Sequence, residues 1–341
     1  MVPERICIVM MSAVGDAVHV LPVISAIKRV RPDSHITWVL QPGPASLVRG
    51  HPSIDEIILF DRTKGVAGFT EVISQLRARR FDLLIDLQVY LKAGVITALS
   101  GARRRLGFDR ARARDANWLF TTERIPPRGV QHVQDQYFEF LDALGVDPEP
   151  VTWNIGPWES ERDWQSSFVS QADRPIASIV VATSKPSKDW MPDRWARVCD
   201  ILSSDYGLQP VLVGGRSERE VAAAQTILAK SSARPLSALG SGLRNLVSIL
   251  DASALVLSPD TGPLHISVAV GSPTISLMGY TDPRRTGPYR RFQDLIIDAF
   301  HDNGEKGPVT METRDDRMGR IAVDDVTDKI ALWADRYRGK S

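Results

Sequence analysis

Two stretches that lie far apart in the chain share one order: an apolar run, a short turn and the start of a helix. Residues 6–10 (Ile-Cys-Ile-Val-Met) run into the turn 12–16 (Ser-Ala-Val-Gly-Asp). Residues 254–258 (Ala-Leu-Val-Leu-Ser) run into a second turn, and Pro263 stands where a helix would begin. Such apolar runs are typical of buried parallel strands, whose carboxyl ends are where open α/β sheets bind ligands. The pair of turns therefore predicts two Rossmann-like halves that face one cleft.

The rest of the chain continues this alternation of strand and helix. Its length of 341 residues exceeds the usual size of one domain. Alternating strands and helices indicate an α/β fold in which right-handed crossovers join parallel strands. Residues 146–175 contain four prolines and show little regular pattern, so they are predicted to be a linker. We expect one domain over 1–165 and a second over 170–320.

The formal net charge of +1 argues against a protein that binds nucleic acid through general charge. The charge is locally uneven, because one twelve-residue segment is rich in arginine and holds a single opposing carboxylate, Asp109. The arginines of this segment are Arg103, Arg104, Arg105, Arg110, Arg112 and Arg114. Two interpretations stay open, namely a solvated loop and a patch for an anionic acceptor or a membrane surface.

The cysteines and the apolar runs bear on the cellular compartment. Cys7 falls in an apolar strand and Cys199 in a helical pattern, so both are predicted to be buried thiols, which fits a reducing cytoplasm. No apolar run approaches the ~20 residues of a membrane-spanning helix, and the N-terminus lacks the form of a signal peptide. Any membrane contact is therefore expected to be peripheral.

Asp16 lies at the start of the first predicted helix, directly after Gly15. A carboxylate there can simply stabilise the helix N-terminus. The helix N-terminus also favours the ionised form, and an anion at the mouth of a cleft can act as a general base. His19, one turn further on, could orient Asp16, contact an acceptor, or pack in the core. The dinucleotide fingerprint G-x-G-x-x-G is absent from this turn, which counts against an NAD-dependent dehydrogenase.

Two loops of the second half carry groups that suit a nucleotide. Residues 183–190 (Thr-Ser-Lys-Pro-Ser-Lys-Asp-Trp) offer hydroxyl and ammonium groups before a helix, as a diphosphate site requires, although a plain surface loop is the alternative. This loop does not have the Walker A pattern. After Gly214 and Gly215, Glu218 or Glu220 could bind a ribose diol or could serve only as a helix N-terminal acid.

The turn 258–265 (Ser-Pro-Asp-Thr-Gly-Pro-Leu-His) carries the residues that we consider most informative. The backbone N–H groups of Thr261 and Gly262 can hold a phosphate at the helix N-terminus. Asp260 would repel a phosphate, so we expect it to bind a sugar hydroxyl or the N–H groups of its own loop. His265 could donate to a diphosphate leaving group, or could be a core histidine. No metal-ligand spacing is evident, so lysine, arginine and backbone groups would have to neutralise a diphosphate.

Together these motifs resemble the ADP-heptose:lipopolysaccharide heptosyltransferase family, whose members are inverting enzymes of the GT-B fold, which consists of two Rossmann-like domains. The similarity covers nearly the whole chain, and the pair formed by the last two motifs is its most specific element. The matching stretches are 12–22, 81–88 (Phe-Asp-Leu-Leu-Ile-Asp-Leu-Gln), 101–108, 187–190, 260–265 and 279–283 (Gly-Tyr-Thr-Asp-Pro).

The resemblance implies a role for each half of the chain. Asp16 stands in the place of the family's catalytic base, in an N-terminal acceptor-binding domain. Its expected acceptor-binding residues are Ser12, Gly15, His19, Lys64, Lys92 and Arg105. Lys188 matches the phosphate-contacting lysine of the C-terminal, nucleotide-sugar-binding domain. The expected donor-binding residues are Thr183, Ser184, Lys188, Gly215, Glu218, Asp260, Thr261, Gly262 and His265. A last helix over 322–341 is expected to pack back on the N-terminal domain.

The resemblance also implies the substrates. The donor would be an ADP-sugar, ADP-L-glycero-β-D-manno-heptose, and the acceptor a lipid-linked Kdo or heptose of the lipopolysaccharide inner core. The enzyme would need no metal and no cofactor besides this donor. It would be a monomer and would contact the cytoplasmic face of the bacterial inner membrane.

Two features depart from the family pattern. Residues 301–318 contain no cysteine, where many relatives carry several, and Lys64 and Lys92 are isolated on the acceptor side. Both departures bear on the acceptor rather than on the fold. Three alternatives stay open: a glycosyltransferase with another nucleotide-sugar or acceptor, a nucleotide-sugar epimerase of the same fold, and a non-catalytic nucleotide-sugar-binding scaffold.

Overall fold

Strands and helices alternate along most of the chain in the computed structural model, which describes residues 3–339. The strands are β1 (Arg5–Val9), β2 (His35–Leu40), β3 (Glu56–Leu59), β4 (Leu83–Asp86), β5 (Arg104–Gly107), β6 (Glu123–Arg124), β7 (Ile176–Val180), β8 (Gln209–Val213), β9 (Leu236–Ser237), β10 (Leu255–Pro259), β11 (Thr274–Met278) and β12 (Ile296–Asp298).

The α-helices are α1 (Val14–Val30), α2 (Pro42–Val48), α3 (Val66–Arg79), α4 (Leu91–Leu99), α5 (Val133–Leu144), α6 (Glu159–Val169), α7 (Pro192–Ser204), α8 (Glu218–Lys230), α9 (Leu243–Asp251), α10 (Gly262–Val270), α11 (Pro283–Thr286) and α12 (Val323–Arg336). Short 3₁₀ helices occupy Arg62–Lys64, Asn117–Phe120, Pro186–Lys188, Gln293–Leu295 and Arg317–Arg320.

The strands form two parallel sheets of six strands each. The first has the order β3-β2-β1-β4-β5-β6, and the second has the order β12-β11-β10-β7-β8-β9. Counted from the first strand of each half, both sheets follow one doubly wound order that reverses direction between strands one and four. The predicted α/β architecture with two Rossmann-like halves is thereby confirmed.

This topology decides where the predicted ligand-binding residues lie. In each sheet the order reverses between two neighbouring strands, β1 and β4 in the first and β7 and β10 in the second. The loops that follow these strands open side by side at the carboxyl edge, which is where doubly wound sheets bind ligands. Asp16 follows β1, Lys188 follows β7, and Asp260 follows β10.

The chain divides into two compact units whose boundary differs from the predicted one. The first unit contains the described residues up to Gly129 together with Val133–Asn154, and the second contains Val130–His132 and the residues from Ile155 onward. The predicted boundary at 165 is therefore about ten residues too late.

The predicted linker over 146–175 contains a helix, α6, that belongs to the second unit. Glu161 of α6 accepts two hydrogen bonds from Arg244 of α9, at 2.7 and 2.6 Å, and Gln165 donates to the carbonyl of Ser248 at 2.8 Å. Three of the four prolines of this segment precede the helix and the fourth, Pro175, follows it, so they flank the helix rather than exclude it. The prediction of an irregular linker is wrong for this part of the chain.

The last helix, α12, packs within the second unit rather than on the first domain as we expected. Ile330 and Trp333 are buried in the same apolar cluster as Ile275 and Leu277 of β11. The indole of Trp333 also donates to the carbonyl of Ala254 at 3.0 Å. The apolar stripe of α12 therefore packs against the face of the second sheet, and this packing explains the position of the helix.

Each unit has its own apolar core, and the two cysteines lie in these cores. Cys7 of β1 and Cys199 of α7 are both buried and form no disulfide. Burial raises the pKa of both thiols above its usual range. The prediction of two buried thiols is confirmed. None of the helices among residues 3–339 is both long enough and apolar enough to cross a membrane.

Candidate functional site

Asp16 lies in the first turn of α1, half-buried at the carboxyl edge of the first sheet. One carboxylate oxygen accepts the backbone N–H of Ala13 at 2.8 Å, and the other accepts the hydroxyl of Tyr137 at 3.2 Å. The first bond is that of a helix N-terminal carboxylate, so this interpretation of Asp16 holds. A carboxylate oxygen can accept more than one hydrogen bond, so these two bonds are compatible with the role of base that we predicted for Asp16.

His19 is buried against α5, as the core-histidine interpretation predicted. Its Nδ1 lies 3.1 Å from the amide oxygen of Gln134, whose nitrogen donates to the carbonyl of His19 at 2.8 Å. This pair of bonds joins α1 to α5 beneath the Asp16 turn. The structure therefore gives His19 a packing role, in place of the acceptor contact that we expected.

A buried carboxyl group, Asp86, lies at the end of β4 beside the Asp16 turn. Asp86 accepts hydrogen bonds from Thr97 at 3.0 Å, Asn117 at 3.1 Å and the backbone N–H of Gln88 at 3.1 Å. The side chain of Gln88 in turn donates to the carbonyl of Ser12 at 3.3 Å. This network connects β4, α4 and the 3₁₀ helix Asn117–Phe120 to the turn that carries Asp16.

Burial raises the pKa of Asp86 to about 7, although the hydrogen bonds from Asn117, Gln88 and Thr97 oppose the shift. A carboxyl group whose folded-state pKa is raised stabilises the fold below its unfolded pKa, near 4, and this contribution is lost as the pH rises through 7. Between about pH 4 and pH 7, we expect the titration of Asp86 to lower the free energy of unfolding by up to about 4 kcal/mol.

The measurement is urea unfolding at several pH values from about 4 to 8, with the wild type compared with Asp86→Asn. The difference between the two proteins should change steadily across this window, because only the wild type titrates at this position. Asp82→Asn, which alters an exposed carboxylate just before β4, is the control. A difference that does not vary with pH would show that folding leaves the pKa of Asp86 unshifted.

The predicted acceptor-side cations lie in different surroundings. Lys64 is paired with Glu71 at 2.9 Å on the exposed surface, whereas Lys92 is exposed near the start of α4. Arg105 donates to the carbonyls of Phe120 at 3.0 Å and Ala102 at 2.9 Å, so its guanidinium holds the end of the first sheet together. This geometry indicates a structural role for Arg105 rather than the acceptor-binding role that we expected.

Ser12 and Gly15, the other predicted acceptor-binding residues, both lie half-buried in the Asp16 turn. Of the predicted acceptor residues, these two are therefore the ones that the fold places beside Asp16. Small residues at such a turn permit the close approach of a ligand to the backbone.

The arginine-rich segment is divided by β5. Arg104 pairs with Glu123 at 2.7 Å, and Arg112 pairs with buried Asp109 at 2.5 Å and buried Glu139 at 2.7 Å. Arg103 precedes the strand and lies at its amino end, while Arg110 and Arg114 follow it and lie at the carboxyl edge. All three of these are exposed. The segment thus combines structural ion pairs with exposed guanidinium groups at two different edges of the sheet.

In the second unit, Lys188 and Asp260 form a largely buried ion pair that joins the loops after β7 and β10. The ammonium lies 2.6 Å from the Asp260 carboxylate and also donates to its carbonyl at 3.3 Å. The two side chains are 18% and 7% exposed. An ammonium has three N–H donors, so Lys188 keeps capacity for an anion while Asp260 holds it in place.

The carboxylate of Asp260 is surrounded by donors from three elements. Thr281 and Thr286 donate their hydroxyls to it, and Nε2 of His265 lies 3.7 Å away. Burial favours the protonated form, but the neighbouring His265 and the charge of Lys188 outweigh it and hold the pKa of Asp260 well below its usual range. Asp260 is therefore an anion that organises side chains. Of the two roles that we expected of it, binding the N–H groups of its own loop is not what these contacts show, and binding a sugar hydroxyl stays a prediction.

His265 lies on the buried face of α10, and its imidazole faces Asp260. Thr261 is the residue that precedes α10, and Gly262 is the first residue of the helix. Both are half-buried. The first N–H groups of a helix have no partner within it, so this end of α10 presents donors next to Lys188. The structure thus brings together the ammonium, the helix N-terminus and the imidazole that the sequence had suggested.

Thr183 uses its hydrogen-bonding groups within its own loop. Its backbone N–H donates to Asp189 at 2.6 Å, and its hydroxyl lies 2.7 Å from the carbonyl of Lys185. These bonds fix the path of the loop to Lys188, which is a different role from the donor contact that we expected of Thr183. Ser184, another predicted donor contact in this loop, is exposed.

The loop after β8 distinguishes the two glutamates that the sequence left open. Glu220 accepts the backbone N–H of Gly215 at 2.6 Å and the backbone N–H of Ser217 at 3.0 Å, so it caps α8. Glu218 is exposed in the first turn of the same helix. A side chain at Gly215 would place its Cβ 2.8 Å from the Glu220 carboxylate, so the carboxylate that caps α8 would have to shift.

Three residues of the 279–287 loop belong to the Lys188 site but were not predicted. The Tyr280 ring lies 5.5 Å from the ammonium of Lys185 and 5.6 Å from that of Lys188, within the range of a cation–π interaction. Thr281 and Thr286 bind Asp260, as described above. The motif 279–283 was the available signal, but spacing alone does not show that its threonine reaches Asp260.

Metal-binding potential was assessed from side-chain clusters. Among residues 3–339, no group of three or more His, Cys, Asp or Glu side chains is arranged to hold a metal ion.

The comparison with protein families decides the assignment of the chain. The sequence model of glycosyltransferase family 9 (heptosyltransferase) matches residues 69–307, more than two thirds of the chain. The chain belongs to this family. The predicted family is thereby confirmed, and family 9 membership makes the protein a glycosyltransferase.

Relatives of this family 9 chain align with it, in sequence or in structure, over most of their length. The lipopolysaccharide core heptosyltransferase OpsX of Haemophilus influenzae is 28% identical over 305 residues, which cover 89% of this chain and 87% of that protein. The crystal structure of a family 9 glycosyl transferase from Veillonella parvula superposes with a TM-score of 0.82 at 22% identity, over 96% of both chains. The E. coli heptosyltransferase WaaC with ADP gives a TM-score of 0.75 at 20% identity, over 98% of this chain and 99% of that one. These structures confirm the GT-B fold.

Proposed function

We propose that this family 9 glycosyltransferase transfers a heptose from ADP-heptose to a Kdo or heptose residue of the lipopolysaccharide inner core, with inversion at the anomeric carbon and without a metal ion. The observation that carries the proposal is the Lys188–Asp260 pair at the N-terminus of α10. It fixes an ammonium beside the N-terminus of a helix, whose first N–H groups have no partner within the helix, and this is an arrangement that suits a diphosphate.

Two relatives support the choice of donor and acceptor. OpsX of Haemophilus influenzae is named as a lipopolysaccharide core heptosyltransferase, and the E. coli enzyme WaaC has been solved with ADP. The turn that carries Lys188 and the turn that carries Asp260 lie at the switch point of the second sheet, where a doubly wound fold binds a nucleotide. We therefore assign the ADP moiety to the second unit.

On the donor side, the reaction breaks the bond between the anomeric carbon and the diphosphate oxygen. The electron pair leaves with ADP, so negative charge grows on the diphosphate in the transition state. Lys188, the N–H groups of Thr261 and Gly262, and His265 are proposed to stabilise that charge. Exposed Glu218 is proposed to bind the ribose diol, because Glu220 is engaged in capping α8.

On the acceptor side, Asp16 is proposed to take the proton from the acceptor hydroxyl as its oxygen attacks the anomeric carbon. Attack from the face opposite the diphosphate inverts the configuration in a single displacement. Tyr137 and the N–H of Ala13 hold the carboxylate in a fixed orientation, which is what a general base needs. The proton then leaves Asp16 for solvent.

The acceptor is lipid-linked, so we further propose that the protein works as a monomer at the cytoplasmic face of the bacterial inner membrane. Its contact with the membrane would be peripheral. Exposed arginines at the carboxyl edge of the first sheet, Arg110 and Arg114, support an attraction to anionic lipid.

The donor assignment is tested by calorimetric titration of ADP, UDP and GDP in the presence of a chelator. We expect ADP to bind more tightly than the other two nucleotides, and Lys188→Ala to weaken ADP binding by about 10- to 100-fold, since one charge-assisted contact is lost. Lys230→Ala, which removes an exposed lysine paired with Asp193, is the matched control and should bind ADP like the wild type.

Each other outcome of this titration has a distinct meaning. A preference for UDP or GDP would keep the fold but overturn the heptose donor. Binding that depends on added Mg²⁺ would contradict metal independence. The absence of any nucleotide binding would contradict the assignment of the ADP moiety to the second unit.

A further inference from the structure

One surface of the first unit combines exposed apolar side chains with arginines. It is built from the loops that follow β4 and β5, which are neighbouring strands. The backbone N–H of Arg114 donates to the carbonyl of Val89 at 2.8 Å, and Asn117 donates to the carbonyl of Tyr90 at 3.0 Å. These bonds fasten the two loops into one continuous surface at the carboxyl edge of the sheet.

Three large apolar side chains of this surface face solvent. Leu119 is 60% exposed, Tyr90 is 50% exposed and Leu91 is 45% exposed. Leu119 belongs to the 3₁₀ helix that packs on α4, and Tyr90 and Leu91 stand at the start of α4. Neighbouring exposed apolar groups on a globular protein mark a site of interaction with another apolar phase.

Exposed arginines lie on the same two loops or next to them. Arg110 and Arg124 lie over the ring of Trp118, the neighbour of Leu119 in the chain, at 4.8 and 5.3 Å from its centroid. Arg114 is exposed, and its backbone N–H binds the carbonyl of Val89, next to Tyr90. Within the described part of the chain, none of these three arginines forms an ion pair. Asp115 is the one acidic residue between positions 110 and 120.

Other arginines offset most of the nearby acids. Arg104 offsets Glu123, and Arg112, which lies between Asp109 and Glu139, offsets one of these two buried carboxylates. The remaining buried carboxylate and Asp115 carry less charge than Arg110, Arg114 and Arg124 together, so the charge that remains at this surface is positive. Apolar side chains ringed by cations complement the interfacial region of an anionic bilayer, where acyl chains lie beneath phosphate groups.

We propose that this surface, the lipid face formed by Tyr90, Leu91, Arg110, Arg114, Leu119 and Arg124, docks the protein on an anionic lipid bilayer. The proposal rests on the function proposed above, since it explains how a soluble domain meets a lipid-linked acceptor. The lipid face and the Asp16 turn share one edge of the sheet, and Gln88 binds the carbonyl of Ser12 at 3.3 Å between them. Docking through this face therefore places the Asp16 turn near the headgroup layer.

The test is co-sedimentation of the full chain with phosphatidylcholine vesicles that contain about a quarter phosphatidylglycerol, compared with pure phosphatidylcholine vesicles. We expect the wild type to bind the anionic vesicles more tightly. Arg110→Gln/Arg114→Gln should weaken that binding roughly 30-fold, since each cation near an anionic surface contributes roughly fivefold. Leu91→Ser/Leu119→Ser should weaken it roughly tenfold, because less apolar surface is buried.

Matched controls carry the same types of substitution, arginine to glutamine or leucine to serine, at the amino edge of the first sheet or in the second unit. Arg103→Gln/Arg197→Gln removes the same charge from two exposed sites outside the lipid face. Leu99→Ser alters an exposed leucine at the far end of α4, the helix that also carries Leu91. Both control proteins should bind vesicles like the wild type. Circular dichroism of every variant checks that the fold is retained.

Transfer of heptose to a deacylated, water-soluble inner-core acceptor separates this proposal from the proposed function. The lipid-face variants should transfer to this acceptor at the wild-type rate. Wild-type transfer without vesicle binding would overturn the lipid face and leave the function standing. Vesicle binding that the lipid-face variants retain in full would also overturn it. If the lipid-face variants lose vesicle binding and the wild type transfers no heptose, the lipid face is supported and the heptosyltransferase function is contradicted.

Discussion

Replacing Asp16 with asparagine is expected to lower turnover by about 10²- to 10⁴-fold, which is the usual contribution of a general base. Asparagine keeps an oxygen that can accept the N–H of Ala13 and a polar group that can face Tyr137. The start of α1 should therefore keep its structure while the ability to take a proton is lost. The measurement is steady-state turnover of ADP-heptose with a soluble acceptor.

Two further variants separate catalysis from helix stability. Asp16→Ala removes both hydrogen bonds, so it should lose similar activity and also some thermal stability, about 0.5–2 kcal/mol for a lost cap. Tyr137→Phe leaves the carboxylate in place and should change turnover by less than about tenfold. Near-normal turnover of Asp16→Asn with an intact fold would refute the assignment of Asp16 as the base.

The second large effect is expected from the Lys188–Asp260 pair. Lys188→Ala leaves the buried carboxylate of Asp260 without its ammonium, and breaking a buried pair in this way costs about 3–5 kcal/mol. We therefore expect a clear fall in the unfolding midpoint of the second unit, together with the loss of ADP affinity described above. Differential scanning calorimetry measures the first effect and nucleotide titration the second.

A double variant distinguishes the structural role of Lys188 from its role in binding. In Lys188→Met/Asp260→Asn neither buried charge remains, while the asparagine can still accept the hydroxyls of Thr281 and Thr286. Stability should return to within about 1 kcal/mol of the wild type, but ADP binding should stay weak. If ADP binding also returned to the wild-type level, Lys188 would serve the fold alone and our assignment of a phosphate contact would be wrong.

The architecture could be predicted because it depends on local periodicity. Apolar runs such as those that became β1 and β10 alternate with helical patterns, and that order dictates parallel sheets. The strands β6 and β9, of two residues each, carry no such signal and were not predicted. Helix α6 was hidden among prolines, because its partner groups Arg244 and Asp251 lie about 80 residues later in the chain.

The site was predictable to the extent that it follows directly after strands. Asp16, Lys188 and Asp260 each follow a strand of a topological switch point, so strand position alone could single them out. What sequence could not show is which groups they contact. The pairing of Lys188 with Asp260, the burial of His19 against Gln134, and the capping by Glu220 all depend on tertiary distances.

The same limit applies to the arginine-rich segment. In the sequence its six arginines form one cluster, whereas in the structure β5 separates Arg103 from Arg110 and Arg114. Arg112 forms ion pairs with buried acids, and Arg104 forms an ion pair with Glu123 of the adjacent strand. Neither interpretation of the segment included these structural ion pairs, and a patch for an anionic acceptor or a membrane surface stays a prediction that concerns the exposed arginines.

Heptosyl transfer itself tests the central claim most directly. The protein is incubated with ADP-heptose, a deacylated inner-core acceptor and a chelator, and the product is examined by NMR for linkage and anomeric configuration. We predict release of ADP and a new glycosidic bond whose anomeric configuration is opposite to that of the donor, with activity lost in Asp16→Asn. Retention of configuration, a requirement for added metal, or turnover of the donor without transfer to any sugar acceptor would contradict this account.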